Sequence, residues 1–283
     1  MALNKAPYKG TRDFFPTEMR QRDFLFHKMR ETAELYSYEP YDGPMVEEVE
    51  LYLAKSGEEL ITEQIYSFVD RGERKVAIRP EMTPTVARMV AQIHREAAKP
   101  LRWYAIPNLM RYEKPQRGRL REHWQFNCDI FGAPEGLGEI EILQVVTGLL
   151  RSFGANDEHF EVLLNDRRVV DAVFKRLLNL EPEQALKLYK VIDKAKKVSA
   201  EALDKMTAEI ISQEAVRAHF KEYLALNSFP ALVSFLERHG LKDAAGGFMI
   251  FIYNLTFAQL EKYNIYYTTI ECRLDNYNSS QFF

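Results

Sequence analysis

Residues 111–125 read RYEKPQRGRLREHWQ. Arg111, Lys114, Arg117, Arg119 and Arg121 crowd together with Pro115 and Gly118. On either side lie residues 101–112 (LRWYAIPNLMRY) and 121–132 (REHWQFNCDIFG), whose aromatic and branched content around Pro/Gly punctuation predicts two strands joined by a turn. In the second strand, Trp124, Phe126, Cys128 and Ile130 share one face. His123, Gln125, Asn127 and Asp129 share the other, because strand side chains alternate. The first face is predicted core, and the second is polar. Taken alone, the charge run reads equally well as a solvated hairpin tip, so its neighbours must decide.

Upstream, residues 18–37 space Met19, Phe24, Phe26, Met29, Ala33 and Leu35 among charges at helical intervals and predict an amphipathic helix. A turn-rich run, YEPYDGP at residues 38–44, leads into a short extended segment ending near Glu50. From Ile65 the period becomes two: Tyr66 and Phe68 alternate on one arm, Val76 and Ile78 on the other, and a turn at residues 70–72 makes a hairpin. That hairpin runs into Arg79-Pro80-Glu81-Met82-Thr83-Pro84. Thr83 is a predicted N-cap and Pro84 a predicted first helical residue. Arg79 and Glu81 are therefore expected where a strand gives way to a helix N-terminus, a place that favours anionic or polar ligands.

Downstream, a helix is predicted near residues 138–153 and a strand at residues 159–165. Residues 166–240 are helical in character, with starts at Asn165 or Asp166, Pro182 and Ser199 and a stop at Gly240. The expected domains are a core over residues 1–165, a helical insertion over residues 166–240, and a return to the core over residues 241–283, where Tyr/Ile/Thr-rich strand material lies.

Composition narrows the function classes. A formal charge of −3 and a pI near 6.1 argue against wholesale coating of nucleic acid, which needs many Lys and Arg on phosphates. Cys128 and Cys272 stand far apart without zinc-ligand spacing, no histidines pair as HxxxH, and no metal-ligating set is expected. The opening MALNKAPYKGTRDFFP holds no apolar signal core, and no apolar run of about 18 residues occurs. A cytoplasmic protein with no membrane span is expected.

Chemistry concentrates around the opening stretch. Glu81, Gln125 and Asp129 are acceptors suited to an ammonium or imidazole group. Arg111, Arg119 and Arg121 are forked donors suited to phosphate. Together they suggest a site for an amino acid and a nucleotide. The alternative makes Glu81 a capping residue, Gln125 and Asp129 the wet side of a sheet, and the arginines a solvated turn. Neither GxxxxGK[ST] nor GxGxxG is present.

Several stretches resemble the signature motifs of class II aminoacyl-tRNA synthetases, and within them the histidyl-tRNA synthetase family. KGTRDFFP (residues 9–16) resembles the family's opening segment, YEPYDGPMVE (residues 38–47) its dimer-forming motif 1, and residues 79–83 (RPEMT) its histidine-binding segment. RYEKPQRGRLREHWQFNCDIFG (residues 111–132) resembles motif 2 almost continuously. The resemblance implies an α+β fold, an antiparallel sheet flanked by helices with a helical insertion. It implies ATP- and Mg²⁺-dependent activation of histidine to histidyl-adenylate, then transfer to tRNA(His), in a homodimer. Carried over by position, Arg111 would contact the ATP α-phosphate, Glu113 the adenine amino group and Arg119 the distal phosphates. Glu81, Thr83 and Gln125 would hold the α-amino group or carboxylate of histidine. Asp129 would accept from its imidazole, and Tyr277 would touch the same ring. Arg111, Gln125 and Arg273 are the expected catalytic set, acting by positioning and charge neutralisation.

The resemblance departs near the end. Residues 272–279 (CRLDNYNS) stand where the family carries Arg-Gly-Leu-Asp-Tyr-Tyr-Thr-Gly. Cys272 thus occupies the catalytic arginine's place, and Arg273 replaces it if the backbone slips by one residue. Phe283 precedes the glycine-rich motif 3 and the anticodon-binding domain, so a truncated synthetase core is expected. The alternative is an impaired paralogue, such as a histidine-sensing regulatory subunit of ATP phosphoribosyltransferase; the intact Arg111, Glu113 and Arg119 weigh against it.

Overall fold

The structure is a computed structural model and describes residues 4–53, 64–116, 118–134, 136–164, 166–195, 198–226, 228–245, 265–267 and 271–274. The chain divides between Gly154 and Ala155 into two compact units.

The first unit opens with α1 (Pro16–Leu35), which starts on a proline and ends where Tyr36 N–H donates to Ala33 O. Pro16 fits because the first turn of a helix has no intrahelical use for its N–H. After α1 come β1 (Glu39–Pro40), β2 (Val46–Glu48) and a short α2 (Val49–Leu53). The sequence reading extended this stretch to Glu50; helical backbone begins at Val49 instead, because Val49 and Tyr52, spaced by three, both bury against Ala77. The predicted hairpin is β3 (Tyr66–Val69) with β4 (Lys75–Ile78), and β4 also pairs antiparallel with β2. Its turn is tied by the Asp70 carboxylate, which accepts from the N–H groups of Gly72 and Arg74.

Helix α3 (Thr83–Ile93) begins one residue earlier than expected. Met82 sits at its cap in right-handed helical conformation and offers no side-chain bond, so Thr83 is a first-turn residue and not the N-cap. The two long strands expected around the basic loop are each broken. Residues 101–112 form β5 (Leu101–Ala105) and β6 (Asn108–Met110), interrupted at Pro107, which has no N–H for a ladder. Residues 121–132 form β7 (Glu122–Trp124) and β8 (Asn127–Phe131). β5 and β8 pair antiparallel with β1 added parallel at the edge, while β6 and β7 make a separate ribbon beneath the loop.

The predicted alternation holds across the break. Phe126, Cys128 and Ile130 pack on a core of Ala33, Tyr38, Tyr104 and Val145, drawn from α1, β5 and α4 (Leu137–Ser152). Trp124 meets the rings of Phe14 and Phe26. Each fully buried apolar side chain of this kind stabilises by about 1.5–3 kcal/mol, which is why the polar face has only one orientation open to it.

The second unit holds β9 (Phe160–Leu164), with β10 (Ile265–Tyr267) parallel and β11 (Glu271–Leu274) antiparallel beside it. Its helices are α5 (Arg167–Ala172), α6 (Pro182–Ala195), α7 (Ala200–Ala208), α8 (Glu214–Leu224) and α9 (Phe229–Arg238). The predicted starts appear. Asp166 caps α5, accepting from Arg168 N–H at 2.8 Å; Pro182 opens α6; Ser199 caps α7, accepting from Ala202 N–H at 3.3 Å. Gly240 ends the run at φ +67°. Phe174, Phe220, Phe235 and Leu188 bury completely or nearly so at its centre.

Candidate active site

The basic loop is a closed turn. Gln116 and Arg119 exchange both backbone hydrogen bonds, at 3.0 and 2.9 Å, and Gly118 between them stands at φ +76°, where an L side chain is strained. Below the turn, Arg111 N–H donates to Arg121 O at 2.8 Å, continuing the β6–β7 ladder.

The arginines divide into two sets. Arg79 and Arg121 are 4% and 9% exposed. Arg79 Nε donates to Asn108 O (2.9 Å), and its Nη1 donates to Asp42 Oδ1 (2.7 Å) and Gly43 O (2.8 Å), so it ties the YEPYDGP turn to β6. Arg121 was read as a phosphate donor, and the structure corrects this. Its Nε donates to Glu113 O (3.0 Å), Nη1 donates to Tyr8 Oη (3.0 Å), and its guanidinium lies 4.1 Å over the Tyr112 ring. Its N–H also donates to Gly10 O at 2.8 Å. Arg121 therefore fastens the KGTRDFFP segment to the loop.

Arg111 is different. Its Nε donates to Pro80 O at 2.9 Å, and its two terminal nitrogens take no partner among the described residues. A half-buried guanidinium held at one nitrogen, with a forked pair of donors left over, suits bidentate capture of an anion. Arg119 and Glu113 face each other in a fork: Nη2 donates to Oε1 at 2.7 Å and Nε to Oε2.

Glu81 lies between β4 and α3, beside the carbonyl that holds Arg111, and is half-exposed; Thr83 is exposed on the first turn. Gln125 lies in the break between β7 and β8, its N–H donating to Pro107 O at 3.3 Å. Asp129, on β8, accepts from Tyr41 Oη at 2.9 Å. Burial raises the Asp129 carboxyl above its ordinary value, and the Tyr41 hydrogen bond opposes that rise. Burial also pushes the neighbouring Cys128 thiol up to about 12, which suits a packing role and not a nucleophile.

One run of contacts joins these groups. Asp129 is bonded to Tyr41, the next residue Asp42 is clamped by Arg79, and the following Pro80 carbonyl holds Arg111. The polar face of β8, the junction before α3 and the base of the basic loop are thereby fixed to one another. Arg273 lies on β11 in the second unit, opposite Glu161 in the β9 register, and only its backbone is described. Tyr277 lies outside the described residues.

Two residues beside the site were given no role by the sequence reading, which placed Tyr41 in a turn and His123 on the polar strand face. Tyr41 sat in a turn-rich run and looked like punctuation. His123, opposite Leu109 in the ribbon, has its pKa lowered by burial and then by the Arg111 charge. That neighbourhood favours its neutral form, which no local pattern announces.

A family model described as histidyl-tRNA synthetase matches residues 10–248. Among curated relatives, a histidine–tRNA ligase of Leptospira biflexa is 51% identical over 197 residues, 70% of this chain and 45% of the relative. One of Thermoplasma volcanium is 38% identical over 207 residues, 73% of this chain and 47% of the relative. The chain thus spans about half the length of these relatives. The crystal structure of histidyl-tRNA synthetase from Nostoc sp. PCC 7120 superposes with a TM-score of 0.79 at 17% identity, covering 95% of this chain and 62% of that one. An ATP phosphoribosyltransferase regulatory subunit/histidyl-tRNA synthetase from Bacillus halodurans superposes with a TM-score of 0.61 at 16% identity, covering 96% and 70%. Both likenesses are of fold. Together with the alternating sheet of the first unit and the many helices around it, they bear out the α+β architecture expected from the sequence.

Proposed function

Because the chain belongs to the histidyl-tRNA synthetase family, we propose that it carries the site at which histidine and ATP are joined as histidyl-adenylate, the activated form from which tRNA(His) is charged. The observation that carries this reading is Arg111, anchored through one nitrogen to Pro80 O beside Glu81, with two forked donors that take no partner among the described residues.

In this reading Arg111 holds the ATP α-phosphate and offsets the charge that develops there as the histidine carboxylate attacks. Preorganised donors of this kind act without reorganising during the step. Glu113 and Arg119 part from each other to take the adenine amino group and the distal phosphates; the arginine is 57% exposed but the glutamate only 10%, so the contacts with ATP must replace the bond that Glu113 gives up. Glu81, Thr83 and Gln125 hold the ammonium and carboxylate of histidine, and Asp129 accepts from its ring. Bringing two reactants into one geometry supplies much of the rate, and no protein nucleophile is required.

ATP is a substrate here. The donor set around Arg111 fits its phosphates. Mg²⁺ is a hard cation that keeps phosphate oxygens and one or two carboxylates as ligands, and it would screen the phosphate charge. Among the described residues no three His, Cys, Asp or Glu side chains form a cage of their own, so such an ion would be held chiefly by the phosphates of ATP. Arg273 is assigned the second positive charge of the reaction, in place of Cys272, and Tyr277 a contact with the imidazole.

Further parts of the reading are a core spanning residues 1–165 and 241–283 around an insertion at residues 166–240, and a homodimer. The outer face of the β2–β4–β3 sheet supports the latter. Val46 and Phe68, 44% and 48% exposed, flank a groove of about 850 Å³ there that Glu47, Glu48, Asp70, Arg74 and Arg88 also line, and exposed apolar side chains with a charged rim suit a partner surface. Among the described residues no helix is long and apolar enough to cross a membrane.

Histidine-dependent exchange of pyrophosphate into ATP tests the proposal. Exchange that requires histidine and disappears in Arg111→Ala supports it. Folded protein that neither exchanges nor binds histidine overturns it.

A further inference from the structure

Tyr41 is held from several sides. Its N–H donates to Tyr104 O at 2.9 Å, and its ring lies 5.6 Å from that of Trp103, tilted by 35°. Asp42, next in sequence, is clamped by Arg79 Nη1 at 2.7 Å. Trp103 stands opposite Asp129 in the β5–β8 register, so the Tyr41 ring passes over the cross-strand neighbour of Asp129 and reaches its carboxylate. There Tyr41 Oη donates to Oδ2 at 2.9 Å, while Oδ1 takes no hydrogen bond among the described residues.

Two consequences follow from this geometry. A carboxylate fixed at one oxygen cannot rotate freely, so its second oxygen is presented in one direction. The Tyr41 phenol, its pKa raised far by burial and then by the Asp129 charge, keeps its proton, so the bond runs from Tyr41 to the ionised Asp129. Asp129 is left with acceptor capacity alone. Around it stand the aromatic rings of Tyr41 and Trp103, which give the place its shape.

We infer that Tyr41 is a positioning residue that sets the selectivity of this site for a ring bearing an N–H donor, by fixing Asp129 so that Oδ1 remains as the ligand's acceptor. The inference rests on the proposed histidine reading of Asp129. A ligand ring of similar size without an N–H leaves a partly buried carboxylate unpaired, and sites built around a polar partner reject such analogues strongly.

The test measures the dissociation constants of L-histidine, of 2-thienylalanine (a ring of similar size with no N–H) and of ATP by calorimetry, on the full chain and on Tyr41→Phe, which keeps the ring against Trp103. The expected result is histidine bound about tenfold more weakly in Tyr41→Phe, because a carboxylate no longer fixed at Oδ2 must be oriented when the ligand binds, with thienylalanine and ATP unchanged within twofold. A merely structural role would weaken all three ligands together and overturns the inference, as does an unchanged ratio of histidine to thienylalanine. Asp129→Ala separates the two levels. If it abolishes histidine binding with ATP binding retained while Tyr41→Phe changes nothing, the histidine reading stands and the role of Tyr41 falls. If Asp129→Ala leaves histidine affinity intact, both fall.

Discussion

Arg79 Nη1 and Asp42 Oδ1 are 2.7 Å apart, yet the arginine side chain is 5% exposed and the aspartate 70%. The pair is lopsided: the guanidinium is the buried member, and two backbone carbonyls, Asn108 O and Gly43 O, depend on it. Removing Asp42 lets water take its place, whereas removing Arg79 leaves both carbonyls in search of a donor. Asp42→Asn is expected to lower unfolding stability by less than about 1 kcal/mol, and Arg79→Met by roughly 3 kcal/mol. Chemical denaturation of the two variants checks this; equal losses would contradict the asymmetry.

Arg121 predicts a coupling between the N-terminal segment and the loop. Arg121→Lys keeps the charge but loses the fork that reaches Tyr8 Oη and Glu113 O and the stacking on Tyr112. A stability loss of about 2 kcal/mol and weaker ATP binding are expected. Gly10→Ala should act in the same direction, since Gly10 has φ +87° and a Cβ there would stand 2.7 Å from Arg121 Cγ. Thermal unfolding and ATP titration of both variants test the link.

Arg119 separates binding from folding. Its side chain is 57% exposed and that of its partner Glu113 is 10% exposed; it is the exposed member of the pair, so when it is removed water takes its place and the loss to stability is small. Arg119→Ala is therefore expected to leave the melting temperature within a degree or two, while raising KM for ATP on the order of tenfold, the scale of one charge-assisted contact. A large melting shift with unaltered KM would assign the residue to the fold instead.

Asp129 carries a signed pH dependence. Burial raises its carboxyl pKa in the folded chain, so the folded state holds its proton to higher pH than the unfolded one. The charged group consequently destabilises the fold at pH values above the raised pKa, and the penalty fades as pH falls through it towards the ordinary value near 3.9. Asp129→Asn should be more stable than the parent at pH 7 by roughly 0.5–2 kcal/mol, with the gain shrinking in acid, and should lose histidine binding. Denaturation at pH 7 and in mild acid reads the sign directly.

Much of this molecule could be read locally. The hairpin at residues 66–78, the caps at Asp166 and Ser199, the stop at Gly240 and the alternation of Phe126, Cys128 and Ile130 follow from period and turn chemistry, which act over a few residues. The sequence likewise pointed to Arg111, Glu113, Arg119, Glu81, Gln125 and Asp129 as a candidate set. The break of the two strands at Pro107 and Gln125 was harder to see. Proline marked one side, but nothing in residues 121–132 announces that β7 leaves the β5–β8 sheet to pair with β6.

The division of labour among the arginines was not legible at all. Arg79, Arg111, Arg119 and Arg121 carry the same side chain in similarly polar surroundings, and no spacing rule separates an arginine that ties backbone carbonyls from one with donors to offer. That distinction depends on which distant carbonyl, Asn108 for Arg79 or Glu113 for Arg121, folding brings within hydrogen-bond reach. Tyr41 is the same case in reverse, a turn residue that gains a role only when β8 sets Asp129 against its hydroxyl. The sequence by itself determined most of the elements, their faces and the chemical types in the site, though not the breaks in the two long strands. Tertiary structure decided which polar groups are satisfied and which remain for a ligand, because hydrogen-bond satisfaction is a property of residues far apart in the chain.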